Sequence, residues 1–116
     1  MNTILHITQR QQWEQAQLTG IYRGDTLDSE GFIHCSTPLQ VIKVANTLFR
    51  NQQELVLLGI DSDKVQEEIR YEGIEGGECF PHIYGSLNID AVFKVIDFEA
   101  GKDGKFQLPE EFKNLN

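Results

Sequence analysis

Two stretches of this chain repeat their apolar residues at helical spacing. Residues 9–18 and 39–50 both do so, which predicts two amphipathic helices. Thr8 and Thr37 are the expected N-caps, because each is followed three residues later by a glutamine, as in a capping box. Residues 3–8 alternate weakly between apolar and polar positions and predict a strand that leads into the first helix.

The remaining apolar segments are short and predict strands. The run at 54–61 is almost continuously apolar, which is typical of a strand covered on both faces. The polar segment 21–30 is predicted as a loop. Further strands are expected at 31–36, 69–71 and 91–98. This order of elements predicts one α+β domain over residues 1–116, with a bent or split mixed sheet and two main helices.

Composition and charge narrow the classes of partner. Ten Lys and Arg residues stand against 18 Asp and Glu residues in 116, a formal net charge of -8, and the basic residues are scattered. Nucleic-acid binders present a basic face to the phosphates, so no nucleic-acid partner is expected. No apolar run approaches the roughly 18 residues of a membrane span, so no membrane association is expected either.

The two cysteines and the N-terminus bear on the compartment. Cys35 and Cys79 are the only cysteines, and the first residues lack the basic and apolar regions of a signal peptide. These features predict free thiols and a cytoplasmic location. Cys35 should lie in the core, since its side chain leaves the strand on the face opposite His34. A Cys35–His34 nucleophile and base pair is therefore disfavoured.

Each of the three histidines is followed two residues later by a hydroxyl residue. Side chains at i and i+2 of a strand point to the same face, so each unit would present an imidazole beside a hydroxyl. The three units are His6-Ile7-Thr8, His34-Cys35-Ser36 and His82-Ile83-Tyr84. The pattern predicts a polar cleft on an apolar sheet.

The candidate site follows from these units. His34, His6 and His82 are the candidate catalytic residues. The candidate cofactor contacts are His6, Thr8, Ser36, Tyr22 and Tyr84. His6 and His34 would each end a strand before a helix N-terminus, which favours an anionic ligand. Glu78 lies close enough in sequence to His82 to approach the cleft.

Two other interpretations remain open. The histidine–hydroxyl pairs could form structural hydrogen bonds that hold strand ends together, without any ligand. The three histidines could also bind zinc with an open position, but their sequence positions show no local ligand spacing. No metal-binding residues are therefore assigned.

Two motifs carry a resemblance to a known family. Residues 31–36 (GFIHCS) and 80–86 (FPHIYGS) resemble those of a family of small bacterial proteins known as a domain of unknown function. The resemblance covers nearly the whole chain, including residues 5–8, Trp13, Tyr22 and the strand at 55–61.

That family is similar in fold to the ADP-ribosyltransferases, in the branch of tRNA 2′-phosphotransferase, which shows H-x-T and H-x-S on two strands. His6 with Thr8 and His34 with Ser36 match these motifs. The resemblance implies that His6 hydrogen-bonds a ribose hydroxyl of NAD and that His34 and Ser36 line the same pocket. Leu5 stands where an arginine would hold an RNA phosphate, so RNA is not implied. What is implied is a small nucleotide-like ligand, NAD, and a transferase or glycohydrolase acting on it.

Overall fold

A computed structural model of the protein describes residues 2–24, 26–73 and 77–113, and it contains both helices and strands. The α-helices are α1 (Arg10–Thr19), α2 (Leu27–Glu30) and α3 (Val41–Leu48). The strands are β1 (Thr3–Gln9), β2 (Ile21–Tyr22), β3 (Ile33–His34), β4 (Leu55–Asp61), β5 (Glu68–Gly73), β6 (Cys79–Tyr84), β7 (Leu87–Asn88) and β8 (Val92–Phe98). Short 3-10 turns occupy Ser62–Lys64, Ile89–Ala91 and Glu110–Phe112. The α+β class is confirmed.

The strands form three separate sheets. The first has the order β1-β4-β8, the second β3-β6-β5, and the third pairs β2 with β7. Every strand pairing in the described residues is antiparallel, so the expectation of a mixed sheet was wrong. An isolated bridge between Leu5 and Ser36 joins the first sheet to the end of β3. The split of the sheet leaves a gap between β1 and the β3-β6-β5 sheet.

Strand β4 lies at the centre of the first sheet and is covered on both faces. Its first six residues are all buried, as the apolar run predicted. Val56, Leu58 and Ile60 belong to one hydrophobic cluster, while Leu55 and Leu57 belong to another on the opposite face. Antiparallel pairing along the whole of β1 joins it to this buried strand and thereby sets the position of the β1 side chains.

Neither predicted threonine caps a helix through its side chain. Thr8 lies within β1, and α1 begins two residues later behind Gln9, which makes no side-chain cap. The helix predicted to follow Thr37 is α3. It begins at Val41 rather than directly after Thr37, because residues 38–40 form a turn. The Thr37 N–H donates to Gln40 Oε1 at 3.0 Å, so only the glutamine half of the capping box is present.

The segment predicted as a loop contains regular structure. It includes strand β2 and helix α2, and Thr26 Oγ1 donates to the Phe32 carbonyl at 2.8 Å. A two-residue strand has no periodicity that sequence can show. Its Tyr22 side chain is nevertheless only 2% exposed, so this segment contributes to the core.

No helix in the described ranges has the length and apolar character needed to cross a bilayer.

Candidate functional site

A cleft of about 1010 Å³ opens in the gap between the sheets. Strands β1 and β3, helix α3 and the edge of the β5–β6 hairpin contribute to its wall. The three histidines, His6, His34 and His82, all line it. The described chain therefore brings together the three candidate catalytic residues from strands that are far apart in sequence.

His6 connects the two sheets. Its Nδ1 lies 2.6 Å from the carbonyl oxygen of His34, and its Nε2 lies 2.7 Å from the Tyr22 hydroxyl. A carbonyl oxygen only accepts, so Nδ1 carries a hydrogen and donates it. Beside this contact, the backbones of Leu5 and Ser36 exchange N–H···O bonds of 2.7 and 2.8 Å. His6 thus joins the edge of β1 to the end of β3.

A chain of hydroxyl groups continues from His6 into the core. The Tyr22 hydroxyl donates to Thr8 Oγ1 at 2.7 Å, and Thr8 Oγ1 contacts Gln12 Oε1 at 2.8 Å. Thr8 is 4% exposed, and the Tyr22 ring meets the His6 ring edge-on at 5.2 Å. The Thr8 hydroxyl, which was predicted to cap a helix, is instead held in this chain.

A second chain of polar groups begins at His34. Its Nδ1 lies 3.2 Å from His82 Nε2, and His82 Nδ1 lies 3.0 Å from Glu72 Oε1. The Tyr84 hydroxyl also donates to Glu72 Oε1. The Phe32 ring stacks on His82 with centroids 4.1 Å apart and 14° between the planes. Strand pairing explains the first contact, because His34 and His82 are directly opposite in the β3–β6 register.

These contacts shift the protonation equilibria of the site. Burial lowers the pKa of His34, the nearby His82 lowers it further, and Glu30 opposes the shift. The hydrogen bond from Tyr84, followed by that from His82, lowers the pKa of the Glu72 carboxyl. The same bond raises the pKa of Tyr84. At neutral pH, His34 is therefore a neutral imidazole and Glu72 a carboxylate.

The Ser36 hydroxyl is the least exposed polar group on the cleft wall that lacks a protein partner. Ser36 is 3% exposed, and its Oγ makes no hydrogen bond within the described residues. No fully buried side-chain oxygen of the described chain lacks a partner, so this oxygen must reach a surface. Ser36 lines the cleft, and its hydroxyl can therefore bond a ligand there.

The candidate cofactor contacts fall into two groups. Thr8, Ser36 and Tyr22 line the cleft together with His6. Tyr84 is not among the lining residues. It bonds Glu72 and lies beneath the Arg70 guanidinium, whose carbon is 4.4 Å from the ring centroid.

Sequence reasoning missed Glu72 and Phe32. Glu72 directly follows the strand predicted at 69–71, and only the β5–β6 pairing brings it beside His82. The HxS unit gives a weak signal for Phe32, since it lies two residues before His34 on the same face. Glu78 does line the cleft, where it forms an ion pair of 2.8 Å with Lys43.

The expectation of two helix N-termini at the site was wrong. His6 lies in the middle of β1, and α3 begins seven residues after His34. The charged residues described on the cleft wall are Glu30, Lys43, Glu72 and Glu78. Three carboxylates and one ammonium group do not form an anion site of the helix-terminus kind.

A metal centre finds no support in the geometry. In the part of the chain that the structure describes, no group of three or more His, Cys, Asp or Glu side chains is placed to hold an ion. His6 points its Nδ1 at a backbone carbonyl rather than toward the other two imidazoles.

The cysteines behave as expected. Cys35 is 1% exposed, and burial raises the pKa of its thiol far above the usual range. Cys79 is exposed, and both thiols are free.

Comparison with known proteins identifies relatives of the whole chain. The crystal structure of protein CC0527 from Caulobacter crescentus is 33% identical in sequence and superposes with a TM-score of 0.85, covering 95% of this chain and 97% of that one. The solution NMR structure of CC0527 gives a TM-score of 0.82 over 97% of this chain and 98% of that one. No curated protein matches. A family model matches residues 7–95. The chain therefore belongs to the family described as "Protein of unknown function (DUF952)".

Proposed function

We propose that the cleft binds a small nucleotide-like ligand, NAD, and that the protein acts at its nicotinamide–ribose bond, on an ADP-ribosyltransferase-like fold. The observation that carries the proposal is the convergence of three histidines and the Ser36 hydroxyl on one cleft. Polar groups that converge in a large concave site are the usual mark of a ligand site. The ligand class, a nucleotide such as NAD, comes from the resemblance of the sequence to proteins with H-x-T and H-x-S motifs.

The size and lining of the cleft suit such a ligand. Its volume of about 1010 Å³ is at the upper end of the range for small-molecule sites, roughly 300–1,000 Å³. Phe32, Phe49 and Phe80 contribute aromatic surface to the wall, against which a flat base or nicotinamide ring could stack. Two of the polar groups on the wall, His34 and Ser36, lie at and just after the end of β3 and would orient the ligand.

The charges of the wall favour the nicotinamide end of NAD over a polyphosphate. The nicotinamide ring is cationic, and cleavage of its bond to ribose develops positive charge on the sugar. Glu30 and Glu72 line the cleft, and their carboxylates would stabilise that charge. Lys43, the one lysine on the described wall, is already paired with Glu78. An RNA phosphate chain would find no basic track there.

The proposed roles of the histidines differ from those implied by the resemblance. Both ring nitrogens of His6 are engaged by the His34 carbonyl and the Tyr22 hydroxyl, so His6 would position the wall. His34 and Ser36 are the groups that would contact the ligand.

Titration followed by NMR tests the proposal. Labelled protein would be titrated with NAD, nicotinamide mononucleotide, ADP-ribose and AMP while the backbone amide signals are recorded. We expect saturable shifts at residues 5–8, 34–36 and 80–83, largest with the ligands that contain a nicotinamide ribose. Release of nicotinamide from NAD, measured by chromatography, would report turnover. Absence of any shift at millimolar NAD and ADP-ribose would refute the proposal.

A second candidate, a non-catalytic domain, is favoured by one observation. The His6–His34 carbonyl bond and the Leu5–Ser36 bridge join two sheets, which is a structural task. His6→Ala, which removes the imidazole that bonds the His34 carbonyl, separates the two functions. Large loss of stability with no effect on ligand binding favours the structural role, whereas preserved stability with lost binding favours the ligand site.

A further inference from the structure

We propose that His34 is the general base of the cleft, acting through Nε2 on a water or hydroxyl nucleophile, and that His82 and Glu72 are positioning residues that hold this base ready. The inference rests on the proposed function for the substrate on which the nucleophile acts. Its geometric part, the arrangement of protons on three side chains, follows from the described contacts and from the ionised Glu72 carboxylate.

The arrangement of hydrogens follows from the carboxylate. Glu72 is ionised, so its Oε1 only accepts, and the 3.0 Å contact requires a hydrogen on His82 Nδ1. In the neutral imidazole tautomer that carries its hydrogen on Nδ1, Nε2 is a bare acceptor. The 3.2 Å contact with His34 therefore requires the hydrogen on His34 Nδ1. A neutral His34 with a hydrogen on Nδ1 has a lone pair on Nε2.

That lone pair is available to the cleft. Within the described ranges, the hydrogen bond of the His34 ring is made by Nδ1, and Nε2 has no protein partner. The ring is not sealed in the core, because no fully buried side-chain nitrogen of the described chain is left unsatisfied. Since His34 lines the cleft, Nε2 can meet a bound nucleophile there.

The pair also provides a place for the proton. When Nε2 of His34 takes a proton, its Nδ1 hydrogen can pass to His82 Nε2 along the existing contact. The positive charge then lies on His82, 3.0 Å from the Glu72 carboxylate. An imidazolium beside a carboxylate is stabilised, so Glu72 strengthens the base although it does not touch the nucleophile.

The charged neighbours of His34 come from several elements. Glu72 on β5 and His82 on β6 act through the hydrogen-bond chain, and Glu30 on α2 acts through space. Lys43 and Glu78 line the same cleft but neutralise each other in an ion pair. The carboxylate linked to the imidazole pair is thus Glu72.

Ser36 identifies where the nucleophile would sit. Its hydroxyl lies two residues from His34, lines the same cleft and has no partner among the described residues. A water or acceptor hydroxyl bonded to Ser36 is the nucleophile that we assign to His34 Nε2, because a base must lie within hydrogen-bond reach of the proton that it takes.

The step balances without a further reactant. The O–H bond of the nucleophile breaks and its proton goes to His34 Nε2. The oxygen lone pair forms a bond to C1′ of the ribose, and the C1′–N bond breaks with its electrons to the nicotinamide ring, whose positive charge is cancelled. Water would yield ADP-ribose, and an acceptor hydroxyl would yield an ADP-ribosylated product.

Imidazole nitrogen NMR tests the arrangement without any ligand. Long-range proton–nitrogen spectra distinguish a bare imidazole nitrogen from one that carries hydrogen. For the unmodified protein at pH 7.5 we expect a bare Nε2 and a protonated Nδ1 on His34. Glu72→Gln should move a substantial fraction of His34 to the opposite tautomer, because an amide can donate to His82 Nδ1. Glu78→Gln is the matched control and should leave the His34 signals unchanged.

Two outcomes would overturn the proposal. One is a hydrogen on His34 Nε2 in the unmodified protein, a measurement that stands even if a variant fails to fold. The other is a folded Glu72→Gln protein whose His34 spectrum matches that of the unmodified protein.

The kinetic counterpart depends on turnover of NAD. With nicotinamide release as the readout, His34→Asn should lower kcat by about 10² to 10⁴-fold, the usual contribution of a general base. Glu72→Gln should lower kcat and shift the acidic limb of the pH profile, whereas KM should change little. A change in KM alone, with kcat and the pH profile unchanged, would contradict the positioning role. If NAD fails to bind but the tautomer is as stated, the proposed function fails and the base assignment survives.

Discussion

Removing the Tyr22 hydroxyl gives a sharp test of the hydrogen-bond chain behind the cleft. Tyr22 is 2% exposed, and its hydroxyl contacts His6 Nε2 and Thr8 Oγ1, each at 2.7 Å. Tyr22→Phe keeps the ring and deletes two hydrogen bonds. A buried group left without a partner costs about 1–3 kcal/mol. Thr8 keeps its contact with Gln12, and His6 lines the cleft, where water can replace the lost hydroxyl. We therefore expect a loss of about 2 kcal/mol rather than the sum of two full penalties.

Equilibrium unfolding in urea measures this loss. With a slope of about 1–3 kcal/mol per molar, the midpoint should fall by roughly 1 M. Tyr71→Phe is the matched control, since Tyr71 is 51% exposed and should change stability by less than about 0.5 kcal/mol. A double-mutant cycle with Thr8→Val should give a coupling of about 1 kcal/mol. If Tyr22→Phe is no more destabilising than Tyr71→Phe, the Tyr22 hydroxyl contributes nothing to stability. If the cycle is additive, the bond between Tyr22 and Thr8 contributes nothing.

Three further predictions concern packing, thiols and pH. Gly59→Ala would place a Cβ 2.6 Å from the Phe112 ring, so thermal unfolding should show a loss of about 1–3 kcal/mol, and an unchanged Tm would contradict the close packing. An aromatic disulfide reagent should modify Cys79 and spare Cys35 until the protein unfolds, because burial shields that thiol and raises its pKa; two fast-reacting thiols in the native protein would be inconsistent with this. The pKa of His34 is lower in the folded than in the unfolded protein, so on acidification the unfolded chain protonates His34 first. The free energy of unfolding should therefore fall as the pH drops from about 6.5 through the pKa of the folded state. His34→Gln should flatten that part of the pH–stability curve, and equal slopes in both proteins would count against the shift.

The local pattern was a good guide to burial and a poor one to helix starts. The apolar run of β4 predicted a strand covered on both faces, and Cys35 was predicted to be core; both are confirmed. The threonine–glutamine spacing predicted N-caps at Thr8 and Thr37, and neither is one. At Thr8 the competing partner is the Tyr22 hydroxyl, which only tertiary packing supplies. Local hydrogen bonds of threonine are weak enough for such a contact to override them.

Only some of the residues of the site could be predicted from the sequence. The i, i+2 spacing marked the three histidines and Ser36, and they do line one cleft. Glu72 could not be marked in this way, because nothing in its own segment distinguishes it from other exposed acids. Its contact with His82 depends on the register between β5 and β6, and a shift of one residue would turn its side chain to the other face.

The sequence by itself determined which side chains share a strand face and which strand is buried on both sides. These properties follow from the covalent geometry of the backbone and from counting residues, so they need no knowledge of distant contacts. Tertiary structure alone decided that His6 bonds the carbonyl of His34, 28 positions away, and that Glu72 contacts the His34–His82 pair. Such contacts arise from strand register and from the packing between sheets. A histidine–hydroxyl pattern therefore predicts candidates, whereas the register decides which imidazole nitrogen faces the cleft.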